Sequence, residues 1–121
     1  MKILVVDDSK AMRKIVARTL KQAGFEQHAV EEAENGAQAF DAIKAAPPDL
    51  VLSDWNMPEM NGIELLQKLR TEGNAVKFGF VTTEGTPEMR KLAMDSGALF
   101  LIAKPFTPET FQQVLQPVLA T

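Results

Sequence analysis

The chain has 121 residues, of which 45% are hydrophobic and 24% are charged, and its formal net charge is −3. This length suits one domain with a single core, and the composition is that of a globular protein. The negative charge offers no electrostatic basis for binding nucleic acid or an anionic membrane. Because there is no cysteine and no apolar run of the ~18 residues that span a bilayer, we expect one cytoplasmic domain over residues 1–121.

Short apolar runs alternate with segments of helical periodicity in the first half of the chain, as in repeated β-α units. The run at residues 3–6 is followed by a predicted helix at residues 9–23. This helix carries an apolar stripe formed by Met12, Ile15, Val16 and Leu20. A weaker strand at residues 29–33 contains two glutamates, which predicts an edge of the sheet, and a helix at residues 37–46 follows.

The second half of the chain repeats this alternation. The predicted strands are residues 50–53, 78–81 and 99–103, and the predicted helices are residues 63–71, 87–96 and 108–119. Five such units predict an α/β fold with a doubly wound, five-stranded parallel sheet and five helices on its two faces, because five strands are too few to close a barrel.

Polar residues stand where these strands end: Asp7, Asp8, Asp54, Thr82 and Lys104. Ligands of open α/β sheets bind beyond the carboxyl ends of the strands. If the first and third strands are neighbours, the three aspartates converge, and a divalent cation would relieve their repulsion. Oxygen ligands favour Mg²⁺, with Mn²⁺ as the alternative, and the absence of histidine and cysteine from the cluster argues against zinc.

With a cation bound, Asp54 is a candidate nucleophile for phosphoryl transfer that forms an acyl phosphate. Lys104 and the Thr82 hydroxyl would then hold phosphoryl oxygens. Each residue alone has an ordinary structural explanation, such as helix-capping acids, a solvated lysine or a strand-end threonine. The site hypothesis therefore rests on their combination.

The combined motifs resemble the response-regulator receiver domains of two-component signalling. The residues that carry the resemblance are Asp7-Asp8, the string Asp54-Trp55-Asn56-Met57-Pro58, Thr82 and Lys104-Pro105-Phe106. The resemblance extends over all 121 residues. It implies a flavodoxin-like receiver fold with strand order 2-1-3-4-5, an order that the spacing of the motifs does not show by itself.

The resemblance also implies a role for each matching residue. Asp54 would be the phosphoacceptor, and Thr82 and Lys104 would contact the phosphoryl group. The implied metal ligands are Asp7, Asp8, Asp54 and the backbone carbonyl of Asn56. The residues that would modulate the site or the switch are Thr83, Glu84, Leu101 and Pro105, the last joined to Lys104 by a peptide bond that is cis in the family.

Leu101 departs from the family pattern, which has Tyr or Phe three residues before the lysine of the Lys-Pro pair. Phe100 is adjacent, but successive strand residues point to opposite faces, so it cannot take that place. Thr83 replaces the usual alanine after the switch threonine. We therefore expect intact phosphorylation chemistry and an altered output surface.

The resemblance implies a single-domain response regulator of chemotaxis signalling, and no enzyme beyond its own phosphotransfer and autodephosphorylation. Its implied partners are a CheA-like histidine kinase and a downstream protein such as the flagellar motor switch or a phosphatase. We expect a monomer that binds neither nucleic acid nor membrane.

Two other functions stay open on the sequence. One is a phosphate sink or a phosphorylation-independent adaptor, for which Leu101 is the argument. The other is an aspartyl-nucleophile phosphatase resembling the haloacid dehalogenase group, although that group places its nucleophile after the first strand.

We also expect Trp55 to lie on the rim of the site.

Overall fold

The computed structural model describes residues 1–83 and 85–119, in which five strands and five helices alternate. The strands are β1 (Lys2–Val6), β2 (Ala29–Ala33), β3 (Leu50–Ser53), β4 (Phe78–Thr82) and β5 (Phe100–Ala103). The helices are α1 (Lys10–Gln22), α2 (Gly36–Ala45), α3 (Gly62–Thr71), α4 (Pro87–Asp95) and α5 (Pro108–Leu119). Every predicted element is present, with ends that shift by at most a residue or so.

The strands form one parallel sheet in the order β2-β1-β3-β4-β5, which confirms the predicted fold class. β2 lies at an edge, as its glutamates predicted, and most of its residues are exposed. β1, β3 and β4 lie inside the sheet and are almost wholly buried. Helices on both faces explain why these strands are continuous apolar runs rather than alternating ones.

The sheet separates two hydrophobic cores. Along β1, Leu4 and Val6 point into the core under α2 and α3, whereas Ile3 and Val5 point into the core under α1 and α5. This alternation is the period-2 geometry of a strand. None of the helices within residues 1–83 and 85–119 has the length and apolar character needed to cross a bilayer.

Side-chain caps at the helix starts fix how the chain leaves the sheet. Ser9 accepts a hydrogen bond from the backbone N–H of Met12, and this cap begins α1 immediately after the acidic pair. Asn61 and Glu64 form a reciprocal capping box at the start of α3. The loop after β1 therefore spans only residues 7–9, whereas residues 54–61 separate β3 from α3, and the parallel sheet brings the polar residues of both loops to one edge.

The apolar stripe predicted for α1 is wrong at one position. Ile15 is 44% exposed, whereas Arg13 is only 7% exposed. The start of α1 lies beside the polar end of the sheet, where Arg13 donates hydrogen bonds to the Asp7 carbonyl and to Glu32. Specific polar partners therefore bury an arginine where apolar periodicity alone would not.

Leu66 and Leu92 provide a matched pair for testing which helix faces stabilise the fold. Leu66 on α3 is fully buried, and Leu92 on α4 is exposed. We expect Leu66→Ala to lower the free energy of unfolding by about 2–5 kcal/mol, because it removes buried methyl groups and leaves a cavity. Leu92→Ala should change it by less than about 0.5 kcal/mol. Urea unfolding measures both, and equal losses would contradict this assignment of the core.

Candidate phosphoryl and metal site

Register between neighbouring strands brings the predicted site residues to one level. Val6 pairs with Ser53, so Asp7 and Asp54 follow side by side, and the Asp54 N–H donates to the Val6 carbonyl at 2.9 Å. On the other side of β3, Thr82 pairs with Ala103, and the Lys104 N–H donates to the Thr82 carbonyl at 2.8 Å. The sheet ladder therefore continues into the site itself.

Three carboxylates meet at this edge. Asp7, Asp8 and Asp54 each offer an oxygen, and these oxygens all lie within 4.8 Å of one another. Asp7 is 4% exposed, Asp54 is largely buried and Asp8 is exposed. An all-oxygen donor set that is open to solvent through Asp8 fits a hard divalent cation such as Mg²⁺.

Lys104 places an ammonium among these acids. Its Nζ lies 3.2 Å from Asp7 Oδ2 and 3.7 Å from Asp54 Oδ2, and its side chain is 10% exposed. The peptide bond to Pro105 is cis. This ammonium offsets part of the negative charge of the cluster and lies beside Asp54 Oδ2.

The Asp54 carboxyl is held in two directions. Its Oδ1 accepts a hydrogen bond from the Trp55 N–H at 2.8 Å, which leaves Oδ2 towards Lys104. Burial raises the pKa of this carboxyl above its usual value, although the Lys104 ammonium opposes the shift, and the nearby Asp7 carboxylate adds to the rise. The site is thus built to accept positive charge.

The backbone around Asp54 depends on two features that the sequence did not reveal. The Ser53 hydroxyl donates to the Asp54 carbonyl at 2.8 Å. Gly62, at the start of α3, lies so close that a Cβ there would collide with the same carbonyl oxygen. The glycine that ends the loop containing Pro58 and Asn61 was the only signal in the sequence for this contact.

The prediction that Trp55 lies on the rim of the site is wrong. Trp55 is 8% exposed, and its ring packs on Phe80 with a centroid distance of 4.8 Å. Its side chain belongs to the core under α2 and α3, although its N–H contacts Asp54. Proximity to a site residue in the sequence did not determine where the side chain points.

Thr82 and the described residues of the predicted switch differ in burial. Thr82 is fully buried, and Thr83 is exposed. Leu101 is buried in the core under α2 and α3, whereas Phe100 packs in the opposite core with its ring over Gly79, as the alternation predicted. Asn56 is exposed in the loop after β3. Glu84 lies outside the described residues.

The raised pKa of Asp54 gives a testable dependence of stability on pH. The folded protein keeps this proton to higher pH than the unfolded chain does, so stability falls as pH rises through the interval between the two pKa values. In the presence of a chelator, we expect Asp54→Asn to be more stable than the wild type at neutral pH. This difference in the free energy of unfolding should shrink as pH falls through that interval.

Urea unfolding at several pH values measures this difference. Asp41→Asn, on the exposed surface of α2, is the matched control and should change little. A less stable Asp54→Asn at neutral pH would contradict the electrostatic description of the site.

Comparison with known proteins agrees with this geometry. Residues 3–116 match the family described as response regulator receiver domain. The chain is 41% identical to chemotaxis protein CheY1 of Helicobacter pylori, with 100% of this chain and 98% of the relative covered. It is 43% identical to a chemotaxis protein CheY homolog of Campylobacter jejuni, with 100% of this chain and 94% of the relative covered.

A solved structure extends the similarity to three dimensions. Vibrio cholerae chemotaxis protein CheY4 is 38% identical to this chain and superposes on it with a TM-score of 0.85. The match covers 98% of each of the two chains. The family match, the identity and the common fold extend over nearly the same residues. The chain belongs to the response regulator receiver domain family.

Proposed function

We propose that residues 1–121 act as a single receiver domain of chemotaxis signalling, switched by phosphorylation of Asp54. The observation that carries this proposal is that Asp54 clusters with Asp7 and Asp8, while its Oδ2 lies 3.7 Å from the Lys104 ammonium. The relatives at 41% and 43% identity are chemotaxis proteins by name, which supports the signalling context. Receiver domains are signalling proteins rather than enzymes in the usual sense, which removes support from the phosphatase alternative.

The proposed reaction transfers a phosphoryl group from a phosphohistidine or a small acyl phosphate to Asp54. A lone pair of Asp54 Oδ2 forms the new P–O bond while the P–N bond of the phosphohistidine breaks. The imidazole leaves with that electron pair and is neutral if its second nitrogen carries a proton. Hydrolysis reverses the state, because water attacks phosphorus and the Asp54 carboxylate leaves.

Asp7, Asp8 and Asp54 would hold Mg²⁺, with the Asn56 carbonyl as a further ligand. The cation would offset negative charge on the phosphoryl oxygens. Lys104 Nζ, held by Asp7 at 3.2 Å, is preorganised to pair with another phosphoryl oxygen. The buried Thr82 hydroxyl at the end of β4 would bond a third.

The proposed output surface consists of α4, β5 and α5. Three large apolar side chains are exposed on and beside α4: Leu92, Met94 and Leu99. Arg90 Nη1 donates to the Leu101 carbonyl at 3.3 Å, which ties α4 to β5. Leu101 has no aromatic ring whose rotation could follow phosphorylation. Movement of the loop after Thr82 would instead displace α4 as a whole. Thr83 and Glu84 follow Thr82 in the chain, and Pro105 follows β5.

The proposed partners are a histidine kinase of the CheA type and a downstream protein, either the flagellar motor switch or a phosphatase. A phosphate sink is the second candidate, and the observation that favours it is the buried aliphatic Leu101 at the usual aromatic position. The two functions differ in whether phosphorylation changes the surface formed by α4, β5 and α5.

Lys104→Met separates metal binding from phosphoryl transfer. The ammonium competes with a cation for Asp7 Oδ2, so its loss should strengthen Mg²⁺ binding. The same loss removes a positive charge from the transferring group, so phosphorylation by acetyl phosphate should slow by about 100-fold. Mass spectrometry follows the phosphoprotein, and Asp54→Asn should yield none.

Lys91→Met makes the same chemical change on the exposed surface of α4 and should leave both quantities unchanged. Phosphorylation of Asp54→Asn, or a wild-type rate for Lys104→Met, would contradict the proposed site.

Amide NMR shifts on addition of Mg²⁺ and beryllofluoride distinguish a switch from a sink. A switch should shift amides of α4 and β5, beyond the distance at which the added group acts directly. A sink should shift only amides near Asp7, Asp54 and Lys104. Asp54→Asn is the control, and beryllofluoride added after Mg²⁺ should cause no further shifts in it.

A further inference from the structure

We propose that Arg13 is a positioning residue for the acidic cluster, and that its guanidinium fixes the Asp7–Asp8 peptide so that Asp8 faces a bound divalent cation. This inference rests on the proposed function of that cluster. It assigns a role to a charged residue that the apolar pattern of α1 did not identify.

Arg13 is unusual because it is a cation with only 7% exposure. Arginine is seldom buried to this degree without partners, since removing its charge from water is costly. Its Nη1 donates to the Asp7 carbonyl at 2.7 Å, and its Nε donates to Glu32 Oε1 at 2.9 Å. The planar guanidinium therefore joins the peptide after β1 to the edge strand β2.

Glu32 holds the guanidinium from the other side. It lies on β2 level with Val5 of β1, and it also accepts a hydrogen bond from Lys14 Nζ at 2.8 Å. That bond lowers the pKa of Glu32, and the bond from Arg13 acts in the same direction. An ionised Glu32 compensates the buried charge of Arg13 and sets the orientation of its fork.

The Asp7 carbonyl is the group through which Arg13 would act on Asp8. The Asp7 N–H donates to the Ala33 carbonyl at 3.2 Å, and its carboxylate contacts the Ser9 N–H and Lys104. The bond from Ser9 spans the Asp7–Asp8 peptide, and Arg13 holds the carbonyl of that peptide directly. Since a peptide unit is planar, holding its carbonyl also sets the position of the Asp8 N–H and Cα.

Arg13 could act through its positive charge or by positioning the Asp7–Asp8 peptide, and the two roles predict opposite effects of removing its side chain. A nearby positive charge weakens cation binding, so a role through charge alone predicts tighter Mg²⁺ binding by Arg13→Gln. A positioning role predicts weaker binding, because residues that orient metal ligands typically contribute about 10–100-fold in affinity. The sign of the change therefore identifies the role.

The test measures the Mg²⁺ dissociation constant of the full chain by calorimetry, with Mg²⁺ alone as the probe. We expect Arg13→Gln to raise this constant about 10-fold. Arg13→Lys should also raise it, because one ammonium cannot reproduce the two directed bonds of the fork. Lys14→Gln is the matched control, since it removes a positive charge that pairs with Glu32, whereas the Asp7 carbonyl bonds to Arg13. It should leave the constant unchanged.

Phosphorylation by acetyl phosphate provides the second readout. Arg13→Gln should be slow at low Mg²⁺ and should recover the wild-type rate at saturating Mg²⁺, whereas a general structural defect would persist. Unchanged or tighter Mg²⁺ binding by Arg13→Gln would overturn the inference and leave the proposed function intact. If that variant does not fold, a folded Arg13→Lys with wild-type affinity would overturn it equally. A wild-type chain that binds no Mg²⁺ would overturn the proposed function and the inference with it.

Discussion

The crowding of like charge at one end of the sheet is the constraint on which the rest of the site depends. The oxygens of Asp7, Asp8 and Asp54 lie within 4.8 Å of one another. At such a separation two ionised carboxylates repel by about 3 kcal/mol at an effective dielectric constant of about 20, and by less where one is exposed to solvent, as Asp8 is. The fold opposes this repulsion with the Lys104 ammonium and with backbone N–H groups aimed at Asp7 and Asp54. Burial is the main cause of the raised pKa of Asp54, and the repulsion that remains from Asp7 and Asp8 adds to it.

Rigid surroundings are what keep these charges together. The carboxylates and the lysine follow strands whose ladders extend to the site, so they cannot separate without breaking the sheet. The two cores hold that sheet from both faces. In the loop after β4, Thr83 and Gly85 are both exposed. The site residues are therefore held by buried strands, whereas the described residues directly after β4 are exposed to solvent.

The element order and the parallel sheet could be predicted because the signals were local and repeated, whereas the strand order came from the resemblance to receiver domains. Buried strands such as 50–53 are short apolar runs, and helices such as α4 are bounded by a proline at the start and a glycine just past the end. Polar residues that end parallel strands meet because of topology, so Asp7, Asp54 and Lys104 could be grouped before any distance was known.

The positions that sequence reasoning missed depend on partners that are distant in the chain. Arg13 is buried by the Asp7 carbonyl and by Glu32 on another strand, whereas Ile15, which fits an apolar stripe, has no core to enter. Trp55 packs on Phe80 of β4, and Gly62 meets a carbonyl eight residues before it. Periodicity along one segment carries no information about such contacts.

The contact between Gly79 and Phe100 has a consequence for how this chain can diverge. The Phe100 ring occupies the space where a side chain of Gly79 would stand, so two neighbouring strands share one volume. A larger residue at position 79 is tolerated only together with a smaller one at position 100. Substitutions at positions 79 and 100 should therefore occur together among descendants of this sequence. A larger side chain on β4 would accompany a smaller one on β5, so that their summed volume stays constant.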